Sequence, residues 1–130
     1  MKQYSKTIRV TRADLDEMQH VNNVRYVQWI QEISREHWLE VAPRDLAEKS
    51  VWVVRKHEIE YKGAAVLDDL ITITTFIAAT KGPLSYRAVE MHLEKTGALL
   101  LRSRTAWCLL DSDTLQPVRI PRELDALFAD

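Results

Sequence analysis

The sequence predicts an α+β fold, a curved antiparallel sheet of about five strands around one long helix. Three observations lead there. Apolar residues recur at helical spacing over one long stretch, Asn23 to Val41. After Ala47 the chain is dominated by β-branched and alternating segments. Strands and the long helix are segregated along the chain rather than alternating, which favours α+β over a parallel α/β sheet.

Residues 3–10 alternate loosely (Tyr4, Thr7, Ile8, Val10) and read as a first strand. Residues 11–22 are polar and read as a loop. From Asn23 the period changes. Val27, Ile30, Ile33, His37 and Val41 recur at three- and four-residue spacing, flanked by Tyr26, Trp29 and Trp38. Asn22 or Asn23 is a good cap, because its side-chain oxygen accepts from an exposed N–H of the first turn. Pro43 stops the helix.

Val51 to Tyr61 and Asp69 to Ala79 read as strands on β-branched density. Lys81-Gly82-Pro83 is a turn leading to a strand over 85–94, with Tyr86 and Ala88 on its alternation. Thr96-Gly97 marks a hairpin into a last strand over 98–110. Ile120 to Phe128 reads as a short helix with Pro121 in its first turn. A sheet of this kind leaves an unpaired edge, which invites a second chain, so a homodimer paired sheet to sheet is expected.

The 130 residues suit one domain, 1–130, with a real core. Eighteen Lys and Arg against nineteen Asp and Glu give a net charge of −1, which argues against a general nucleic-acid binder. The single cysteine, Cys108, has no intrachain partner and reads as a core thiol among Ala106, Trp107 and Leu109. Met-Lys-Gln-Tyr-Ser-Lys has no apolar signal region, and no apolar run approaches the ~18 residues of a membrane helix. The expected location is the cytoplasm.

Chemistry is concentrated in Asp14-Leu15-Asp16-Glu17-Met18-Gln19-His20-Val21-Asn22-Asn23-Val24-Arg25-Tyr26. Two carboxylates and a histidine stand just before a helix N-terminus, where N–H groups lack intrahelical acceptors and partial positive charge accumulates. The bland reading is that Asp14 and Asp16 serve the helix dipole and a turn, Asn22 and Asn23 cap, and His20 is solvated. None of the four histidines has metal-ligand spacing.

This stretch resembles the hot-dog-fold thioesterases. Asp14-Leu15-Asp16, His20-Val21-Asn22-Asn23 and the aromatics Tyr26 and Trp29 match the family's loop-to-helix pattern. The wording is similar to that of acyl-carrier-protein thioesterases. The broader likeness is to the 4-hydroxybenzoyl-CoA thioesterase-like acyl-CoA thioesterases. The resemblance implies hydrolysis of acyl-CoA or acyl-carrier-protein thioesters, without cofactor or metal, in a dimer or tetramer whose active sites lie where subunits meet. It implies Asp16 as catalytic carboxylate, an Asn23 backbone N–H as oxyanion donor, and His20 as a further catalytic group. Met18 stands where carrier-protein thioesterases carry an Asn, which leans toward a simpler one-carboxylate site.

The residues support that chemistry. A carboxylate can activate water or attack a thioester directly. Amides near Asn23 and Val24 can hold an oxyanion, at about 3 kcal/mol per well-aimed donor. Asn22, Val24 and Tyr26 are the expected substrate-binding neighbours. Lys56, Lys62, Lys81, Arg102 and Arg104 are candidate cations for a CoA ester or an acidic carrier, although a solvated face is the preferred reading of each. Two other functions stay open. One is a non-catalytic acyl-thioester-binding scaffold. The other is an enoyl-thioester hydratase, whose Gly-Asp-x-Asn-Pro-x-His context is absent here.

Overall fold

A computed structural model describes residues 2–129. Its elements are β1 (Tyr4–Arg9), α1 (Asn23–Val41), α2 (Arg44–Lys49), β2 (Ser50–Tyr61), β3 (Leu70–Lys81), β4 (Leu84–Leu93), β5 (Leu99–Asp111) and α3 (Arg122–Leu127). A one-turn 3-10 helix, Arg12–Asp14, precedes the loop. The five strands form one antiparallel sheet in the order β1-β3-β4-β5-β2. This is the expected hot-dog architecture.

Helix α1 connects the two rim strands and covers one face of the sheet. Register shifts in β2 (Val54/Lys56), β3 (Ile77/Ala79) and between β4 and β5 (Met91/His92) insert extra residues. Such bulges increase local twist, which curves the sheet toward the helix. Gly82 holds φ +58 in the β3–β4 turn, a conformation that disfavours side chains with a Cβ.

The boundaries of α1 follow from its ends. Asn22 accepts from the Val24 amide at 2.9 Å, and Ala42 before Pro43 closes the last turn onto Trp38. The buried stripe is Tyr26, Trp29, Ile30, Ile33, Ser34 and His37. Val27 and Val41 are only half-buried, so the inward face is rotated from the expected one. On β4 the inward phase also differs: Ser85, Arg87, Val89 and Met91 are buried, while Tyr86 and Ala88 sit half-exposed on the other face. Pro121 is the residue capping α3 rather than a member of its first turn. The sequence pattern does not predict the six-residue helix α2.

Two apolar clusters hold α1 to the sheet. The first joins Tyr26, Trp29, Ile30 and Ile33 to Ile71, Ile73, Val89, Met91 and Leu101. A fully buried side chain of this size contributes roughly 1.5–3 kcal/mol. The second gathers Leu109, Ile120, Leu124 and Phe128 with Trp38 and Trp52. Between them lies a polar band: the register sets Arg87 opposite Thr105 and Thr105 opposite His57, and Arg87 reaches diagonally to the Thr75 hydroxyl at 3.2 Å. No described helix is long and apolar enough to cross a membrane.

Candidate active site

The loop between the 3-10 helix and α1 is a narrow hairpin. The Asn22 amide donates to the Asp14 carbonyl at 2.8 Å, and the Asp16 amide donates to the His20 carbonyl at 2.8 Å. A Leu15–Val21 bridge lies between them. Gln19 adopts φ +62 to close the tip. The Val21 amide donates to the Ala65 carbonyl at 3.0 Å, which fixes the loop to the segment before β3.

Asp16 is half-buried at the base of this hairpin. Its Oδ1 accepts from the Met18 amide at 2.9 Å and the His20 amide at 3.3 Å, an Asx-type turn. Among the described residues its Oδ2 has no hydrogen-bond partner. His20 is exposed and reaches Asp16 through its backbone N–H; its ring makes no hydrogen bond among the described residues.

At the helix mouth the amides divide. Val24's N–H is already held by the Asn22 side chain, and those of Arg25 and Tyr26 go to the Asn22 carbonyl. Among the described residues the Asn23 amide has no acceptor, so it is the free donor at this end; the expected participation of the Val24 amide is corrected by the cap. Tyr26 is a core residue rather than a site surface. It is buried, its hydroxyl accepts from the Ala65 amide at 3.3 Å, and it packs edge-on against Trp29. Burial pushes its phenol above the usual range.

Asp14 has a structural part. It is buried, caps the Thr11 amide through Oδ2 at 2.8 Å, and pairs with Arg25 Nε through Oδ1 at 2.8 Å. Burial works to raise its carboxyl, but the hydrogen bonds from Thr11 and Arg25 outweigh it and hold the group below its ordinary value.

A second feature was not visible in the sequence. A cavity of about 500 Å³ runs between α1 and the sheet, along Arg25, Gln28, Arg35 and Trp38 on the helix. Trp52, Trp107 and Phe128 are among its other walls. Asp16, His20, Asn22, Asn23, Val24 and Tyr26 do not line it; Arg25, in the first turn of α1, is the lining residue nearest to the loop in sequence. Arg87, buried on β4, does line it. Alternation alone assigns the polar Ser85 and Arg87 to solvent, so the sequence carries no signal for it.

The remaining candidates stay outside the site. Lys56 and Lys62 pair with Glu58 and Glu60 on an exposed strand face, and Arg104 lies over the Tyr86 ring. Lys81 and Arg102 are exposed. Glu32, an exposed residue of α1, lines the cavity. His57 Nδ1 meets Thr105 Oγ1 at 2.7 Å, and burial lowers its ring. Cys108 is a buried free thiol. No group of His, Cys, Asp and Glu among the described residues is placed to hold a metal ion.

Comparison with known proteins gives a consistent set. A sequence model of the acyl-ACP thioesterase N-terminal domain matches residues 1–128. The chain is 29% identical over 122 residues to the long-chain acyl-CoA thioesterase FadM of Escherichia coli K12, covering 90% of each chain. It is 27% identical over 129 residues to the acyl-CoA thioesterase YbgC of Haemophilus influenzae, covering 96% of this chain and 93% of that one. The fold superimposes on a variant of 4-hydroxybenzoyl-CoA thioesterase complexed with 4-hydroxybenzoyl-CoA, with a TM-score of 0.89. There the identity is 16%, over 99% of this chain and all of that one (100%).

Proposed function

The chain belongs to the acyl-ACP thioesterase N-terminal domain family, and from that premise we propose that it hydrolyses acyl-CoA or acyl-carrier-protein thioesters, as a single domain, to a free acid and a thiol. The acyl-CoA thioesterases FadM and YbgC, similar over nearly the whole chain, support this reading.

The observation that carries it is that one segment, the Asp16–Asn23 hairpin and helix start, holds both a carboxylate oxygen and an amide without partners among the described residues. Asp16 Oδ1 is spent on the turn, which orients the carboxyl and leaves Oδ2 to act. The Asn23 N–H, at the positive end of α1, is the donor for the carbonyl oxygen of the ester. Water adds to the thioester carbon as Asp16 takes its proton. The tetrahedral intermediate collapses, the C–S bond breaks, and the thiolate leaves and is protonated. Direct attack by Asp16 gives an anhydride that water then opens, with the same products. His20, exposed beside Asp16, contacts substrate or water rather than orienting the carboxylate. Asn22 holds the helix mouth in shape.

The working form is a homodimer or homotetramer. Strand β2 is a twelve-residue sheet edge with one side unpaired by this chain, which suits pairing with a second copy. The free thiol of Cys108 suits a reducing cytoplasm.

The test is thiol release, followed with a thiol-trapping dye, from short, medium, long and aromatic acyl-CoAs and from acyl-carrier-protein esters. Turnover of at least one class, abolished in Asp16→Ala, is the expected result. Silence from every ester would leave the scaffold reading in its place.

A further inference from the structure

Arg87 is a buried cation without a counter-ion. It is 5% exposed. Its Nη1 donates to His37 Nδ1 at 2.8 Å and to Thr75 Oγ1 at 3.2 Å, both uncharged acceptors. Burial and the neighbouring Arg87 and Lys2 charges push the His37 ring down to about 4, so it is neutral at ordinary pH. Among the described residues no carboxylate pairs with Arg87, and its Nε and Nη2 donate to nothing. The two acidic residues on the cavity walls are otherwise engaged: Glu32 with Arg25 at 3.4 Å, and Asp125 with the Thr80 hydroxyl at 2.7 Å.

A buried charge is costly unless it is paired, and such groups occur where something pairs them. Arg87 lines the 500 Å³ cavity, where Trp38, Trp52, Trp107 and Phe128 face the exposed polar residues Gln28 and Arg35 of α1. The unpaired polar atoms of two other wall residues are also donors, the indole Nε1 groups of Trp52 and Trp107. Unpaired donors among aromatic side chains suit a ligand with a hydrocarbon body that ends in an acceptor, and the charge selects an anionic one.

Resting on the thioesterase reading, we propose that the cavity takes acyl groups whose far end carries a carboxylate, with Arg87 as its counter-ion. The cavity follows α1 from Arg25 to Trp38, about 20 Å at ~1.5 Å per residue. Arg87 meets the helix at His37, near the end away from the Asp16 loop. An acyl chain entering beside Arg25 runs along the aromatic walls and presents its terminal carboxylate to the guanidinium. An extended alkyl chain advances ~1.25 Å per C–C bond, so a chain of about sixteen carbons spans that length.

The experiment compares dodecanedioyl-CoA with dodecanoyl-CoA, and hexadecanedioyl-CoA with hexadecanoyl-CoA. For at least one pair the wild type is expected to favour the carboxylate-ended ester by roughly 10-fold or more in kcat/KM, as one charged hydrogen-bonding group gives. In Arg87→Gln that ratio falls to about one, and in Arg87→Lys part of it survives. Arg87→Met, of similar length, replaces Arg87→Gln if the latter does not fold. A wild type that takes the methyl-ended esters equally well or better overturns the proposal. So does a ratio that survives the neutral variant. If neither ester is hydrolysed, the thioesterase reading fails, and thermal shift then judges the site alone. Stabilisation of the wild type by dodecanoate but not by dodecanol, lost in Arg87→Gln, upholds an anion site at Arg87. Equal or absent stabilisation by the two compounds removes it.

Discussion

Arg25 reaches back from the first turn of α1 to Asp14, its Nε donating to Oδ1 at 2.8 Å, and so clamps the helix to the segment that starts the Asp16 loop. The same guanidinium lies 5.2 Å from the Trp29 ring and donates to Gln28 at 2.9 Å. The loop is therefore braced at both ends, by this pair and by the Val21 amide on Ala65.

Asp14→Ala removes a buried carboxylate that also caps Thr11, and is expected to cost about 2–4 kcal/mol in urea denaturation. The pH dependence has a definite sign. The folded carboxyl titrates below 3.8, so its contribution is fully present above the unfolded value and is lost as pH falls through the folded one. The acid limb of the wild type below about pH 4 is expected to be shallower in Asp14→Asn.

Asp16→Asn keeps an oxygen for the Met18 and His20 amides and loses the ionisable group. Turnover is expected to fall about 100-fold or more, with the melting temperature within about 2 °C of wild type. His20→Ala is expected to cost less, about 10-fold, because its ring holds no part of the hairpin. Steady-state kinetics beside a thermal melt separates the two effects. Wild-type rates in Asp16→Asn remove the assignment.

His37 stays neutral in the fold down to about pH 4, against 6.5 when unfolded. Between those values the unfolded chain binds the extra proton. Stability therefore falls as pH drops from 6.5 toward 4, at up to about 1.4 kcal/mol per pH unit. Denaturant titrations across that window are expected to show the slope in the wild type. Most of it should vanish in His37→Gln, whose amide oxygen can still accept from Arg87.

Phe128 lines the cavity beside Trp38. It stacks on Trp38 with ring centres 5.9 Å apart and meets His37 edge-on at 5.0 Å. Phe128→Ala is expected to destabilise by about 3 kcal/mol or more, read as a lower denaturation midpoint. If dimers form, equilibrium sedimentation at micromolar concentration reads twice the 15.1 kDa chain; a single-chain mass counts against pairing through β2.

The strongest local signals were the legible ones. A side-chain cap at Asn22 and a proline at 43 fix α1 from within the helix itself, and its range came out at Asn23–Val41. The six residues of α2 are too few to show a period. The phase of β4 misled because its inward face carries Ser85 and Arg87, polar residues that alternation assigns to solvent. They are buried because His37 and Ser34 of α1 are themselves polar and sit among the buried residues of the helix. That pairing is made across fifty positions of sequence. The loop motif identified Asp16, His20 and Asn23 as candidates, but which amide is spoken for depends on the side-chain rotamer of Asn22.

Strands β3, β4 and β5 are consecutive and joined by tight turns, whereas Tyr4 must find Thr75 and Ser50 must find Asp111. The three-stranded meander can thus assemble early from neighbouring contacts, while both outer strands wait on long chain closures. Such non-local pairing places refolding in roughly the millisecond-to-second range. Until it is complete, the meander shows bare hydrogen-bonding rows on both flanks, so this chain has a window for misassociation during its own maturation.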